Sequence, residues 1–246
     1  RKSVSAGLDK LLLKKQRLSE DLLKAENSED YRLYGELLTA SLHTVQDGRN
    51  SAEVLNYYTG EMMTIPLDAR YSAAKNAQRY FKKYSKAKTA VVEKKIQLKE
   101  TEKEIDYLDS VLTFIDNAEK VTDLDDIREE LVENGVLRRR NLKEKQKKHK
   151  IQPIEYFTST GKRILVGRNN RENDILTFKT ASSRDIWMHT KDIPGSHVII
   201  RNHQEQRQLT QEVLDFAAHL AAYFSKSRYS ALVPVDYTLK RYVHKP

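Results

Sequence analysis

The chain has 246 residues, a net charge of +9, 32% charged residues and no cysteine. This length permits one or two domains with hydrophobic cores. The basic balance suits a polyanionic partner such as nucleic acid, although lysine-rich helices produce the same charge without a partner. The absence of cysteine excludes disulfides and thiolate metal sites, and no run of about 18 apolar residues could span a membrane. Because the chain starts at Arg1 and shows no signal peptide, we expect that its natural N-terminus is missing.

Two stretches predict long helices that pair as an antiparallel coiled coil. Residues 3–27 and 69–117 both place apolar side chains at alternating spacings of three and four, and residues 69–117 contain neither Gly nor Pro. The predicted seam consists of Leu8, Leu11, Lys15, Leu18, Leu22 and Ala25 in the first stretch, and of Tyr84, Ala87, Val91, Lys94, Leu98, Thr101, Ile105, Leu108, Leu112 and Ile115 in the second.

The two predicted helices differ in length. The first covers about half of the second, so we expect it to pair with the first half of residues 69–117. The remaining half would then need either sequence that precedes Arg1 or self-association through Leu98–Ile115. We favour pairing with residues that precede Arg1, because the start of the chain at Arg1 already indicates truncation.

Residues 28–68 predict a small α+β insert between the two helical arms. Residues 28–45 form a helix that Ser28 can cap, and residues 47–50 form a turn. Residues 52–67 predict a β-hairpin with its turn near Gly60. We therefore expect residues 1–120 to consist of the arms and this insert.

Residues 121–150 predict a helix followed by a basic linker. The helix over 123–135 would be capped by Thr122 or Asp123 and stopped by Gly135. Residues 138–150 form the densest basic run of the chain. This run fits a solvated linker and a phosphate-contacting segment equally well.

Residues 151–246 predict an α+β domain with a mostly antiparallel sheet, and we expect it to be truncated at its C-terminus. Its predicted elements are strands 154–158 and 163–166, a helix over 171–180, strands 186–188 and 198–200, a helix over 209–226, and strands 231–235 and 237–243. A turn at Pro194-Gly195 joins the central pair of strands and brings Trp187, His189 and His197 close together.

Several residues of this domain are candidates for specific contacts. Asp185, His189 and His197 could form a metal site or an acid/base pair, but their spacing matches no metal-binding motif and favours structural histidines. Trp187 and Tyr156 could stack on unpaired bases, and core packing explains Trp187 equally well.

The segment 167–170 precedes a predicted helix and could bind an anion through backbone N–H groups and Arg168. A capping turn with Asn169 or Asn170 as the cap explains the same residues and is slightly favoured. Further basic residues flank the sheet: Lys162, Arg163, Arg171, Lys179, Arg184, Lys191 and Arg201.

Four motifs of this region together resemble the NFACT-R domain of the NFACT family. They are Gly-Arg-Asn-Asn-Arg-Glu-Asn-Asp at 167–174, Asp-Ile-Trp-Met-His at 185–189, Pro-Gly-Ser-His-Val at 194–198 and Val-Asp-Tyr-Thr at 235–238. The arms and insert look like the coiled-coil and middle region of that family. Its members are ribosome-associated quality-control proteins of the RqcH and NEMF types, and the chain looks most similar to streptococcal members named fibronectin-binding protein.

The resemblance implies a cytoplasmic protein that binds the stalled large ribosomal subunit and tRNA and supports untemplated C-terminal tailing. It implies no catalytic site of its own and no cofactor. We expect that the family's tRNA-reading N-terminal domain is not part of this chain, and therefore that this part alone does not support tailing. The alternative implied by the resemblance is a cell-surface adhesin that binds host fibronectin, without a visible export signal. The expected RNA-binding residues are Lys162, Arg163, Arg168, Asn169, Asn170, Arg171, Arg184, Asp185, Trp187, His189 and His197.

Overall fold

A computed structural model describes residues 1–26, 28–138, 153–202 and 209–245. The helices are α1 (Lys2–Glu26), α2 (Glu29–Ala40), α3 (Ala73–Asn117), α4 (Val121–Glu133), α5 (Asn170–Ile175) and α6 (Gln211–Tyr223). A π-helical turn, Leu176–Thr180, continues α5, and a 3-10 turn, Lys240–Tyr242, follows the last strand. The strands are β1 (Ser51–Asn56), β2 (Glu61–Pro66), β3 (Ile154–Phe157), β4 (Arg163–Val166), β5 (Ile186–Thr190), β6 (Val198–Ile200) and β7 (Val235–Leu239). Helices beside antiparallel sheets confirm the predicted α+β class.

The chain divides into a first unit, Arg1–Asp9 with Ile105–Pro246, and a second unit, Lys10–Glu104. The second unit contains the predicted hairpin: β1 and β2 pair antiparallel, and Gly60 takes a φ of 77° in the turn. Since strand side chains alternate between faces, Ala52 and Val54 point together into a core with Leu37 and Leu38 of α2. Ser28 occupies the predicted N-cap position of α2, but its backbone already has helical dihedral angles and its side chain makes no capping hydrogen bond.

Ion pairs show that α1 and α3 run antiparallel within the second unit. Lys15 Nζ lies 2.8 Å from a carboxylate oxygen of Glu102, and Lys94 Nζ lies 2.7 Å from one of Asp21. The residues predicted to form the seam of these helices are buried or half-buried, as the three-four spacing requires. The coiled-coil geometry of the pair stays a prediction.

The same helices meet within the first unit, where Arg1 is paired with Asp116 and Gly7 lies against Leu108. The predicted pairing of residues 3–27 with the first half of 69–117 is therefore wrong, because α1 contacts the later half of α3. The start of α3 instead contributes Ala77 and Tyr80 to the hairpin core. Burial of Leu108 within the chain also removes the reason to expect self-association through this part of α3.

The sheet of the first unit has the strand order β3-β4-β6-β5-β7, and every neighbouring pair is antiparallel. One face packs on α6 through Ile164, Val166, Ile186, Met188, Val198 and Ile200. The intervening residues Leu165, Trp187 and Ile199 point to the other face and pack on Leu176. The two faces therefore have separate roles: one holds the main core, and the other carries Trp187 and its neighbours.

Two of the predicted elements differ from the structure in the part that follows α3. Residues 231–234 are not a strand, since Pro234 has no N–H and its carbonyl accepts only an isolated hydrogen bond from Lys191. Helix α4 starts at Val121 with Lys120 as its N-cap, and Asp123 Oδ2 accepts the Lys120 N–H instead of acting as the cap. The predicted end of this helix at Gly135 is confirmed, because Gly135 follows α4 with a φ of 72°. Of the basic run 138–150, residues 139–150 lie outside the described residues.

Among the described helices, none combines the length and apolar character that a membrane crossing requires.

We expect Leu108→Asp to lower the free energy of unfolding by about 3 kcal/mol or more, because the new carboxylate would be buried without a partner. Leu108 is 5% exposed. Leu23→Asp is the matched control at a position of α1 that is 65% exposed, and it should cost less than about 0.5 kcal/mol. Urea unfolding of the two variants measures the difference, and equal losses would contradict the observed helix pairing.

Candidate nucleic-acid interface

Trp187, His189 and His197 form one aromatic cluster on the sheet face opposite α6. The alternation of β5 places Trp187 and His189 on the same face, and His197 enters that face just before β6. The rings of Trp187 and His189 are stacked with centroids 5.9 Å apart. His197 meets both rings edge-on, at 5.2 Å from Trp187 and 5.3 Å from His189. The predicted convergence of these three residues is confirmed, and their contact with RNA stays a prediction.

Both imidazoles of the cluster are held in their neutral form. Burial and, to a smaller extent, the neighbouring His189 together lower the pKa of His197 to about 3, against the opposing effect of a backbone hydrogen bond with Asn173. Burial also lowers the pKa of His189, against the opposing effect of its hydrogen bonds to the backbone of Gly195 and Thr190. His197 is fixed by Thr177, whose Oγ1 lies 2.7 Å from Nδ1. A neutral, oriented imidazole can accept or donate a hydrogen bond but carries no charge for a phosphate.

A cleft of about 720 Å³ opens beside this cluster, and we call it the α3–α5 cleft. Its walls are formed by Asp106, Tyr107 and Ser110 of α3, Asn170 and Asn173 of α5, His189 and His197, and the loop residues Asp192, Ile193, Pro194 and Gly195. The wall that α3 contributes was not predicted from the sequence. Within a helix of 45 residues, the periodic apolar pattern gave no sign that three polar positions face a pocket.

A buried carboxyl group, Glu130, organises one side of the α3–α5 cleft. It accepts hydrogen bonds from Asn170 Nδ2 at 3.2 Å and from the backbone N–H of Arg171 at 3.3 Å. Burial raises the pKa of Glu130, and these hydrogen bonds oppose the rise. Ser110 Oγ donates to Asn170 Oδ1. The side chain of Asn170 is therefore held by α3 and α4 together. The carboxyl group of Glu130 also occupies the N-terminal end of α5, where an anion would otherwise bind.

Arg168 is enclosed by carboxylates. Its guanidinium lies 2.6 Å from Asp123 and 2.7 Å from Glu172, and its side chain is only 18% exposed. Asn169 Oδ1 accepts the Glu172 N–H at 2.8 Å, which makes it the N-cap of α5. Residues 167–170 are thus the capping turn, and a phosphate could contact Arg168 only by displacing a buried carboxylate.

The remaining candidate residues are spread over the domain. Asp185 is fully buried. Its carboxylate accepts the backbone N–H groups of Ser182 and Asn202 and pairs with Arg201 at 3.1 Å, so it holds two loops in place.

Three of the basic candidates are already bound to other side chains. Lys162 Nζ donates to Asn202 Oδ1, Arg163 pairs with Glu155, and Arg171 lies 3.6 Å from Glu133. Tyr156 packs on Phe216 and Phe224, on the face opposite Trp187. In the described ranges, no three His, Cys, Asp or Glu side chains are placed to hold a metal ion.

A group of four basic residues, three exposed and Lys240 half-buried, lies where the chain after β7 returns to the segment before β5. We call it the basic patch and define it as Lys179, Arg184, Lys240 and Arg241. The Lys240 N–H donates to the Asp185 carbonyl at 2.8 Å, and the Arg241 N–H donates to the Ser183 carbonyl at 3.4 Å. Lys240 Nζ lies 5.7 Å from the Phe178 ring, and the Arg241 guanidinium lies 4.8 Å from the ring of Tyr242.

Within the described part of the chain, no carboxylate is paired with Lys179, Lys240 or Arg241. Lys240 and Arg241 were not among the predicted contact residues, because the sequence pattern predicts a strand over 237–243. The structure ends that strand at Leu239 and turns both residues back toward Asp185.

We expect Arg168→Ala to lower the free energy of unfolding by roughly 3–5 kcal/mol, because it leaves two buried carboxylates without their cation. Arg171→Ala is the matched control, since Arg171 is 40% exposed and its ion pair should contribute less than about 1 kcal/mol. Chemical denaturation followed by circular dichroism measures both. Similar, small losses for the two variants would contradict the structural role of Arg168.

We also expect stability to fall as the pH drops from about 7 to about 5. The unfolded chain protonates His197 near pH 6.5, but the folded chain does so only near pH 3, so the unfolded state binds more protons between these values. Where the unfolded state binds one proton more than the folded state, the free energy of unfolding falls by roughly 1.4 kcal/mol for each pH unit. His197→Gln should remove most of this loss, and the exposed His219→Gln should not. An unchanged pH dependence in His197→Gln would show that the imidazole is solvated.

Comparison with known proteins places both parts of the chain in one family. Residues 1–150 match the NFACT N-terminal and middle domains, and residues 152–245 match the NFACT protein RNA binding domain. The chain is 45% identical over 235 residues to the Rqc2 homolog RqcH of Bacillus subtilis (strain 168), which covers 94% of this chain and 40% of that protein. It is 45% identical over 247 residues to the Rqc2 homolog RqcH of Streptococcus suis (strain 05ZYH33), covering 100% of this chain and 44% of that protein.

A solved structure with the same fold is similar over the whole chain. It is that of the C-terminal part of the fibronectin/fibrinogen-binding protein from Streptococcus suis, with a TM-score of 0.76, 39% identity, and coverage of 100% of this chain and 83% of that one. The chain spans about two fifths of the length of the curated relatives it matches. From these matches and the motifs around Arg168, Trp187 and His197, the chain belongs to the NFACT family.

Proposed function

We propose that this chain is the arm and RNA-binding part of a ribosome quality-control factor that binds stalled large ribosomal subunits and tRNA. The observation that carries the proposal is the basic patch, whose members Lys179, Lys240 and Arg241 have no carboxylate partner among the described residues. This patch lies in the part that matches an RNA-binding domain, and the relatives of the whole chain bear the name RqcH.

The basic patch is suited to phosphates. Lysine and arginine side chains near the backbone of RNA release counterions when they bind, which makes affinity depend steeply on salt. Phosphate contacts carry little sequence information, so binding should be weakly sequence-specific. Tyr242 is 60% exposed beside Arg241 and could stack on an unpaired base next to such a contact. The enclosure of Arg168 by carboxylates, and the absence of a carboxylate partner of Lys240 and Arg241 among the described residues, support phosphate contacts at Lys240 and Arg241.

The proposed role of this chain is binding without chemistry of its own. Support for untemplated tailing is proposed for the longer protein, because the chain spans about two fifths of its relatives. In that protein, α1 and α3 would serve as an arm that carries the α2 and hairpin region to a ribosomal contact. A cytoplasmic location follows from this role.

A fibronectin-binding adhesin is the second candidate. It is supported by the name of the similar Streptococcus suis structure and by four exposed apolar residues near the hairpin turn, Leu55, Tyr57, Tyr58 and Met62. Leu55 and Met62 are opposite each other on the solvent face of β1 and β2. An apolar surface of this kind suits a protein partner rather than a phosphate, and the role would require export.

We expect the double variant Lys240→Glu/Arg241→Glu to weaken binding of both tRNA and large ribosomal subunits by at least about tenfold. The slope of the logarithm of the affinity against the logarithm of the salt concentration should also become shallower by about 1.4, because two phosphate contacts to single-stranded RNA are lost. Lys10→Glu/Lys14→Glu changes the net charge by the same amount on the exposed side of α1 and serves as the control. Fluorescence anisotropy over a range of KCl concentrations measures both quantities.

Unchanged affinity and salt dependence in a folded Lys240→Glu/Arg241→Glu protein would refute the basic patch as an RNA surface. Binding of the same variants to immobilised fibronectin, measured in parallel, tests the adhesin function. Binding that survives this double variant but is lost in Leu55→Ser/Met62→Ser would support the adhesin, and no binding by the unsubstituted chain would exclude it.

A further inference from the structure

The α3–α5 cleft has the size and lining of a binding site but lacks the charge that a phosphate needs. Its volume of about 720 Å³ is in the range of ordinary small-molecule clefts. None of its lining residues is Lys or Arg. Two carboxylates, Asp106 and Asp192, line it instead, and among the described residues neither has an ion-pair or hydrogen-bond partner. The cleft therefore favours a ligand that donates hydrogen bonds and carries no negative charge.

The walls of the cleft offer aromatic surfaces. Tyr107 of α3 and His189 of β5 both line it. His189 is itself supported by Trp187 stacked behind it. A planar ring that enters the cleft would find aromatic and imidazole surfaces of the kind on which unpaired bases stack.

The cleft is also held rigidly before any ligand binds. Asn173 donates to the Gly195 carbonyl and accepts the His197 N–H, so both ends of its amide are occupied. Thr190 Oγ1 donates to the Ile193 carbonyl at 2.8 Å, and Asp192 takes a φ of 53° in the loop between them. A non-glycine residue in this conformation is uncommon and costs energy, which the surrounding contacts must offset. Rigid walls reduce the entropy lost on binding.

We propose that the α3–α5 cleft binds one unpaired nucleobase of RNA, and that Asp106 and Tyr107 of α3 complete this site. Those two residues lie outside residues 152–245, which match the RNA-binding domain, so the site is composite. The proposal rests on the proposed function, because it supplies the base contact that the basic patch lacks.

The carboxylates determine which bases fit. Guanine presents N1–H and N2–H₂ donors side by side, and cytosine and adenine each present one amino group, which a carboxylate can accept. Uracil has no amino group. We therefore expect guanine to bind best and uracil to bind worst, with Asp106 as the group that distinguishes them.

The experiment uses the 246-residue chain and RNA 12-mers that differ only at one central position: guanine, uracil or an abasic sugar. We expect the guanine RNA to bind about tenfold more tightly than the other two. Asp106→Asn, at an exposed position that should not affect folding, should reduce this preference to less than about threefold. Tyr107→Ala should do the same, and Tyr229→Ala is the control, since Tyr229 is 95% exposed and lies outside the cleft.

A second measurement uses free guanosine and uridine and the imidazole resonances of His189 and His197. Guanosine should shift both resonances and uridine should not. If RNA binds with a steep salt dependence but the central base, Asp106→Asn and guanosine all have no effect, the cleft proposal is overturned while the RNA-binding proposal stands. If no RNA binds, the RNA-binding proposal fails; a guanosine shift of both imidazoles would then show that the cleft binds a free nucleoside, which contradicts a base contact with RNA.

Discussion

The paired charges around Arg168 are the constraint on which the first unit depends. The guanidinium joins Asp123 at the start of α4 to Glu172 in α5, and both carboxylates are almost completely buried. Removing a buried cation from two such anions costs several kcal/mol, so α4 must stay where Arg168 can reach it. With α4 in that position, Glu130 meets Asn170 and the Arg171 N–H, and this contact shapes the α3–α5 cleft.

The net charge of +9 is therefore not a measure of the charge available to a partner. Arg168 and Arg201 neutralise buried carboxylates, and Arg163 pairs with a neighbouring strand residue. Lys240 and Arg241 have no such partner among the described residues and stand beside exposed or half-buried rings. Pairing and burial, more than the count of basic residues, decide which cations can contact a phosphate.

A domain of this kind would contact RNA through two surfaces of different chemistry, the basic patch and the α3–α5 cleft. Phosphate contacts position a nucleic acid without reading it, and base contacts supply selectivity. The basic patch has the charge for the first task, and the neutral imidazoles and carboxylates of the α3–α5 cleft have the hydrogen-bonding groups for the second. The cleft needs α3 for one wall. An isolated domain of residues 152–245 would lack that wall and should lose selectivity before it loses affinity.

What the sequence determined by itself is local. Alternation in β5 and the turn at Pro194-Gly195 require Trp187, His189 and His197 to share a face, and Asn169 before a helix can be recognised as its cap. Only the tertiary structure decided that Asp123, 45 residues away, meets Arg168, and that Tyr107 and His197 line the same cleft. It also decided which half of α3 contacts α1. The three-four spacing is the same along the whole helix and cannot choose a register, whereas packing of Ala77 and Tyr80 into the hairpin core leaves the later half for α1.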